Sequence, residues 1–286
     1  MQMKAEPRCI VCTLKRGLRE IEETEAPLDV KRRVMVKVLE KVREGFEREL
    51  TPAEIGVSRY ETIKRYLDIE GRYSRLKEAS QEMAIKTLEE VKEKIKNLEG
   101  DEKFHQAFLL AVAANAFDFD LLDHSFTIPG FKRSIQEFSL AIDERAEILD
   151  VVKGKPRILY LLDNAGEVVF DMEFIEILKD MGARVTLGVK GYRFQNDVTR
   201  EDLERWGYLE RIQGLLTMNP PSSLEDTLEK LTRYDLIISK GMFNFEILEG
   251  RIEKNIVFAL TAKCLPIANT LGVERGKGVI LLKGRT

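Results

Sequence analysis

The run RILYLLDNAGE at residues 157–167 joins a short apolar segment to a polar turn. Its first six residues are almost all apolar and do not alternate with polar ones, which is typical of a strand buried on both faces of a parallel sheet. The polar residues follow at the carboxyl end of that strand, where open α/β sheets bind their ligands. We therefore predict an α/β fold with a functional site beside Asp163 and Asn164.

Apolar runs and helical segments alternate through the second half of the chain. Further strands are predicted at residues 184–189, 211–216, 235–239, 256–260 and 279–282. Strands that alternate with helices form right-handed βαβ units. The sheet over residues 151–286 should therefore be mainly parallel.

Residues 1–150 show helical periodicity instead. Helices are predicted at residues 30–45, 51–69, 72–98, 102–116 and 134–151. No strand is predicted before residue 150, and the hydrophobic period changes near Gly154. We therefore predict two domains, an all-helical domain over residues 1–150 and an α/β domain over residues 151–286.

The composition excludes several functional classes. Of the 286 residues 44% are hydrophobic and 33% charged, and the net charge of -3 is unlike that of a nucleic-acid binder. No apolar run approaches the roughly 18 residues that span a bilayer, and the first residues lack the apolar core of a signal peptide. Three cysteines suit a reducing compartment. We expect a cytoplasmic protein with neither a nucleic-acid nor a membrane partner, and the composition leaves its oligomeric state open.

Oxygen-bearing side chains follow the first two predicted strands of the second half. Asp163 and Asn164 leave the first strand, and Asp197 follows the second. Carboxylate and carboxamide oxygens suit Mg²⁺ or Mn²⁺ better than Zn²⁺. In the alternative interpretation these residues only cap helices, with Glu167 in the first turn of one helix and Asp197 before the helix at 199–206. The spacing alone does not choose between the two.

Two glycine-containing turns favour an anion. Gly166 lets the backbone approach a ligand closely, and the helix after it directs its positive end to the same place. Lys240 follows an apolar strand and is a point charge suited to phosphate, while Gly241 leaves backbone N–H groups accessible. Alternatively, Lys240 only extends out of the strand end into solvent. Neither the P-loop nor the G-x-G-x-x-G spacing is present, so a dinucleotide is not favoured.

Cys9 and Cys12 form a single C-x-x-C pair. One pair cannot complete a tetrahedral zinc site unless Cys264 or a histidine joins it in space. The pair also fits a redox function, or two small apolar side chains buried at the start of a helix. No Ser-His-Asp or Cys-His pattern is present, and His105 lies within a predicted helix, where it should pack.

Short motifs along nearly the whole chain resemble those of the metal-dependent damage-control phosphatases, also known as domain of unknown function 89. They are the C-x-x-C at 9–12, AANAFDF at 113–119, DNAGE at 163–167, NDVT at 196–199, SKGMFNFE at 239–246 and KCLP at 263–266. The C-x-x-C pair is similar to that of the prokaryotic branch. Each motif is short, but together and in this order they are specific. Ala114 departs from the pattern, since glycine is expected there in related chains.

The resemblance implies a helical N-terminal domain packed on a Rossmann-like, three-layer α/β/α domain with a divalent cation in the cleft. The cation would be Mn²⁺, Co²⁺, Ni²⁺ or Mg²⁺, with Asp163, Asn164 and Asp197 as its ligands. Lys240 would hold the phosphate. The motif positions imply a phosphate- and substrate-binding set of Asn115, Asp118, Gly166, Lys240, Gly241, Asn244 and Lys263.

We therefore predict a metal-dependent phosphomonoesterase that acts on small phosphorylated metabolites, such as sugar phosphates, nucleotides or phosphopantetheine-type esters. Asp163, Glu167 and Asp197 form the predicted catalytic set, in which Glu167 orients the water or protonates the leaving oxygen. An aspartyl-phosphate at Asp163 is disfavoured because a metal-bound carboxylate is a poorer nucleophile. The alternatives are a non-enzymatic protein that binds phosphometabolites and a carboxyl methyltransferase, although the glycine-rich first loop of the latter is missing.

Overall fold

Helices make up most of the described part of the first 115 residues. The computed structural model describes residues 3–115, 133 and 137–284. The helices are α1 (Pro7–Glu22), α2 (Leu28–Glu47), α3 (Pro52–Lys64), α4 (Glu70–Val91), α5 (Glu93–Lys96) and α6 (Gly100–Asn115). A capping box starts α3, since the Glu54 N–H donates to Thr51 Oγ1 at 3.1 Å and the Thr51 N–H to the Glu54 carboxylate at 2.7 Å.

Seven strands in the described part of the chain form one sheet. They are β1 (Leu140–Asp143), β2 (Arg157–Leu161), β3 (Arg184–Lys190), β4 (Leu215–Met218), β5 (Leu236–Lys240), β6 (Ile256–Thr261) and β7 (Gly278–Lys283), in the spatial order β1-β7-β6-β5-β2-β3-β4. Only β6 and β7 pair antiparallel. The prediction of an α/β fold with a mainly parallel sheet is confirmed.

Helices cover both faces of this sheet. They include α7 (Arg145–Lys153), α8 (Glu167–Asp180), α9 (Arg200–Arg205), α10 (Glu225–Leu231), α11 (Gly241–Leu248) and α12 (Leu265–Leu271). In β2 the side chains alternate, so that Ile158 and Tyr160 join the core on one face and Leu159 and Leu161 the core on the other. Among the described residues, no helix has the length and apolarity needed to cross a bilayer.

Helices from the first half of the chain pack directly on the sheet domain. On the face covered by α8, the Phe108 ring of α6 stacks on Phe174 of α8 with centroids 4.4 Å apart. Helices α1 to α3 form a separate core that receives Phe194 from the segment after β3, 5.5 Å from the Tyr60 ring. The two halves therefore share buried surface, and their division at residue 150 stays a prediction.

The single helix predicted at 72–98 divides into α4 and α5 at Lys92, and two further predicted elements differ from the structure. A strand, β1, lies at 140–143 within the helix predicted at 134–151, so the expectation of no strand before residue 150 is wrong. Its four residues alternate between half-buried and exposed, and so short a pattern also fits one helical turn. The fourth strand is predicted to start at residue 211 but begins at Leu215. Residues 209–211 form a 3₁₀ turn instead.

Candidate active site

The loops after β2 and β3 are held together by backbone hydrogen bonds. The Val198 N–H donates to the Asp163 carbonyl at 2.9 Å, and Asn164 and Asp197 pair as an isolated antiparallel bridge. Because β2 and β3 are parallel neighbours, both loops lie at the same edge of the sheet. The structure thus brings the three predicted metal ligands together.

These loops open onto a cavity of about 470 Å³ between α1 and the carboxyl ends of the strands. The predicted site residues that line it are Asn115, Asp163, Asn164, Asp197 and Lys263. Asp163 and Asp197 are buried at its wall, 6% and 4% exposed. Asp118 lies outside the described residues.

Two carboxamides hold the acidic groups at the bottom of the cavity. Asn115 Nδ2 donates to Glu167 Oε1 at 2.8 Å and to Asp163 Oδ2 at 3.3 Å. Asn164 Nδ2 donates to the same two oxygens, each at 2.8 Å. Glu167 itself is fully buried and does not line the cavity, so it orients the two carboxamides from behind.

The donor atoms fit a hard divalent cation. Within the described residues, no hydrogen bond reaches Oδ1 of Asp163, Asn164 or Asp197. Two carboxylates and a carboxamide are the oxygen ligands that such cations prefer. No group of three His, Cys, Asp or Glu side chains in the described ranges could hold a metal, and the predicted ligand set contains only two such residues. Asp197 Oδ2 already contacts the ammonium of Lys190.

Burial and, to a lesser extent, the nearby Glu167 raise the pKa of Asp163 to about 6, while Lys190 and Lys263 oppose the shift. In the protein without a cation, Asp163 therefore takes up a proton at a higher pH than an exposed aspartate does. A divalent cation at this position would favour the ionised form.

Lys240 lies behind the cavity and does not line it. Its ammonium is fully buried, 2.6 Å from Asp171 Oδ1, 2.9 Å from the Ala111 carbonyl and 3.4 Å from Glu167 Oε2. The Tyr160 hydroxyl donates to the same Asp171 oxygen at 2.7 Å. In this arrangement the ammonium neutralises buried carboxylates, and its contact with phosphate stays a prediction.

The remaining motif residues position the backbone around the site. Gly241 has φ +76°, and a Cβ atom there would overlap the Asp163 carboxylate, so only glycine fits. Gly166 has φ +81° where the chain enters α8. Asn244 Nδ2 donates to the Leu162 carbonyl at 3.1 Å and ties α11 to the end of β2. Gly166, Gly241 and Asn244 do not line the cavity themselves.

The segment after β3 is held by the N-terminal helices. Gln195, at φ +51°, is one of the few residues other than glycine with a left-handed backbone. Its Oε1 accepts from Arg16 Nη1 at 2.9 Å, and its Nε2 donates to Glu20 Oε1 at 3.2 Å. Arg59 Nη2 donates to the same glutamate oxygen at 2.9 Å. Helices α1 and α3 thereby fix the segment that carries Asp197.

Glu246 also lines the cavity, although the sequence predicts no role for it. Burial raises its pKa to about 8, opposed by the backbone N–H of Ala53 and by Arg16. The carboxyl is therefore mostly neutral at pH 7. The motif at 239–246 contains this residue, but a motif does not show which side chain faces the cavity.

The raised pKa of Glu246 predicts a pH-dependent stability. Its carboxyl titrates near 4.5 in the unfolded chain and near 8 in the fold, so the folded state binds more protons between these values. Unfolding free energy should therefore decline as the pH rises from about 5 to about 8. Glu246→Gln should flatten this decline, as measured by urea unfolding at a series of pH values. An identical decline in parent and variant would contradict it, and Glu82→Gln on the exposed face of α4 is the control.

The three cysteines all line the cavity. Cys9 and Cys12 lie in the first turns of α1, and Cys264 precedes α12. Burial raises the pKa of Cys9, and it raises that of Cys264 to about 11. These two thiols therefore stay protonated at neutral pH, which does not suit a nucleophile.

Comparison with known proteins decides the family. The model of the damage-control phosphatase ARMT1-like domain matches residues 5–279, which is nearly the whole chain. The chain belongs to this family. The resemblance inferred from the motifs is thus confirmed, while assignment to a C-x-x-C branch stays a prediction.

Individual relatives agree along the whole length. A damage-control phosphatase of Pyrococcus horikoshii is 30% identical over 96% of this chain and 96% of its own, and one of Archaeoglobus fulgidus is 29% identical over 96% and 97%. A crystal structure of a family member from P. horikoshii matches 98% of this chain and 99% of its own, with a TM-score of 0.82 and 29% identity. These names support a phosphatase function.

Proposed function

We propose that the protein is a metal-dependent phosphomonoesterase of small phosphorylated metabolites. One observation carries the proposal: Asp163, Asn164 and Asp197 meet at one cavity, each with an oxygen that no described residue hydrogen-bonds. Membership of a family whose named relatives are phosphatases supports hydrolysis as the reaction.

The chemistry divides between a cation and the side chains around it. Asp163, Asn164 and Asp197 would hold Mn²⁺, Co²⁺, Ni²⁺ or Mg²⁺, which when bound polarises a phosphoryl oxygen and lowers the pKa of water. Lys263 lines the same cavity and can offset charge on the phosphoryl oxygens. Glu167 keeps Asn164 oriented, because it accepts the amide hydrogen and leaves the amide oxygen for the cation.

The cavity suits a small metabolite. Its volume of about 470 Å³ falls within the range common for small-molecule sites. Sugar phosphates, nucleotides and phosphopantetheine-type esters are the classes we propose to screen.

Phosphate release is the direct test of this function. The metal-loaded protein should release phosphate from at least one class in the panel, and a chelator should abolish the release. Binding of phosphorylated compounds without turnover would instead indicate the non-enzymatic binding protein. Methyl transfer from S-adenosylmethionine without phosphate release would indicate the carboxyl methyltransferase.

The C-x-x-C pair gives a separate prediction. The Cys9→Ser, Cys12→Ser double variant should keep phosphatase activity within about tenfold, roughly 1.4 kcal/mol of barrier, because the proposed chemistry uses neither thiol. Steady-state kinetics with Mn²⁺ would measure this, after circular dichroism has shown that the variant is folded. Complete loss of activity in the folded variant would show that the pair is needed for catalysis.

A further inference from the structure

Lys190, the last residue of β3, places a buried ammonium against a proposed metal ligand. Its Nζ contacts Asp197 Oδ2, and the side chains of this ion pair are 4% and 5% exposed. The ammonium also lies 4.0 Å from the centroid of the Phe243 ring, whose face attracts cations. Within the described residues, Asp197 is its one hydrogen-bond partner. The buried charge of Lys190 is therefore directed at this carboxylate.

The same charge acts on the second predicted carboxylate ligand. Asp163 and Asp197 lie on loops that backbone hydrogen bonds join. Two carboxamides donate to the Asp163 carboxylate, but they carry no formal charge. Among the lysines around the site, Lys190 opposes the raised pKa of Asp163 more strongly than Lys263 or Lys240 does. Neighbouring carboxylates repel each other unless a positive charge compensates them, and Lys190 provides such a charge.

A cation at the proposed ligands and the ammonium of Lys190 would act on one carboxylate. Among the described residues no donor reaches Asp197 Oδ1, so this oxygen would bind the cation while Oδ2 stays with Lys190. Partners that fix a metal ligand usually support metal binding. An ammonium differs, since its full positive charge repels a dication at short range in a buried site. The contact therefore has opposite effects before and after a cation binds.

We propose that Lys190 stands in for the cation. In the metal-free protein its ammonium keeps Asp197 beside Asp163, so that the ligands are assembled before a cation arrives. In the loaded protein the same charge limits how tightly the cation is held. Lys190 is thus a positioning residue of the metal site, and this inference rests on the proposed metal-dependent function.

Removal of the charge tests this role. Lys190→Met keeps an unbranched side chain of similar length but carries no charge. We expect the dissociation constant of Mn²⁺, measured by calorimetry at pH 7, to fall at least about tenfold, because the repulsion from the ammonium is gone. A lysine that only completes a core ion pair would affect the stability of the protein without tightening its metal binding.

Urea unfolding with and without Mn²⁺ measures the same effect independently of calorimetry. Without Mn²⁺, Lys190→Met should be less stable than the parent, because Asp197 loses its buried partner. At one saturating Mn²⁺ concentration, the variant should gain more stability than the parent does. A tenfold lower dissociation constant corresponds to about 1.4 kcal/mol of additional gain.

Lys77→Met is the matched control. Lys77 in α4 is also buried, and its Nζ donates to Asp202 Oδ2 at 2.6 Å. Neither residue lines the cavity. This variant should lose stability as well, but its dissociation constant for Mn²⁺ should stay within about threefold of the parent value, since the lost charge contacts no proposed metal ligand.

The outcomes separate this inference from the function on which it rests. Equal or weaker Mn²⁺ binding in Lys190→Met overturns the inference and leaves the metal site intact, as does failure of the variant to fold at any Mn²⁺ concentration. A variant that folds only with Mn²⁺ supports it, because the cation then replaces the ammonium. If the parent binds neither Mn²⁺ nor Co²⁺, the metal dependence of the proposed function fails, and the inference fails with it.

Discussion

Replacement of Asp163 or Asp197 by alanine is expected to remove tight binding of Mn²⁺ and Co²⁺, and phosphate release with it. Each residue provides a carboxylate oxygen that no described residue hydrogen-bonds, and a single remaining carboxylate leaves the dication poorly compensated. Loss of partners outside the ligand shell already costs 10–100-fold in affinity, so loss of a ligand should exceed about 100-fold. Calorimetric titration measures the affinity and a phosphate assay the turnover.

Folding must be checked separately, because both carboxylates are buried. Circular dichroism and urea unfolding of each variant serve this purpose. Asp226→Ala removes an exposed carboxylate of α10 and should change neither metal affinity nor turnover. If the two site variants bind metal as tightly as the parent, the metallophosphatase mechanism is wrong.

Lys240→Met should destabilise the fold by about 3–5 kcal/mol, since breaking a buried ion pair leaves an uncompensated charge. Its ammonium lies against Asp171 and Glu167, and all three side chains are fully buried. Burial raises the pKa of Asp171 to about 6 even with the ammonium present. Urea unfolding at pH 7 measures the loss, and Lys86→Met, an exposed site on α4, is the control.

A second variant shows whether the effect comes from the ion pair. Asp171→Asn combined with Lys240→Met should recover part of the lost stability, because the main uncompensated charge is then gone. From the sequence, Lys240→Ala is predicted to lower kcat/KM by roughly 10²–10³-fold through loss of a phosphate contact. A Lys240 variant as stable as the parent but with that kinetic defect would favour phosphate binding over the buried role.

The orientation of Lys240 is a feature that the sequence pattern did not predict. The run at 235–239 correctly indicates a buried strand, and its end correctly indicates the edge with the site. The side chain faces away from the cavity because residues two apart in a strand share a face, and Ile238 belongs to the core beneath α6 and α8. Asp171, four residues after Glu167 in α8, is a sequence signal for its buried partner.

The contribution of α1 could not be predicted from the sequence. The spacing of Arg8, Cys12 and Arg16 indicates one helical face, but which surface that face meets depends on packing with distant segments, such as that of Gln195, which lies 179 residues after Arg16. The metal ligands are different, because neighbouring parallel strands place their carboxyl ends together whatever the helices do. The rule for strand ends therefore predicts the metal ligands, whereas the cavity wall formed by α1 depends on tertiary packing.

The hydrogen bonds of Gln195 have a thermodynamic consequence for the whole molecule. They make the segment that carries Asp197 part of the contact between the sheet and helices α1 and α3. A cation held by Asp197 would then bind the docked arrangement better than one in which these helices have separated. Because the two ligand loops are also joined by their own backbone hydrogen bonds, the separated arrangement would keep some affinity, and the added stability would level off at RT ln of the ratio of the two dissociation constants. The concentration of free cation would thereby affect the free energy with which the two halves of the protein dock.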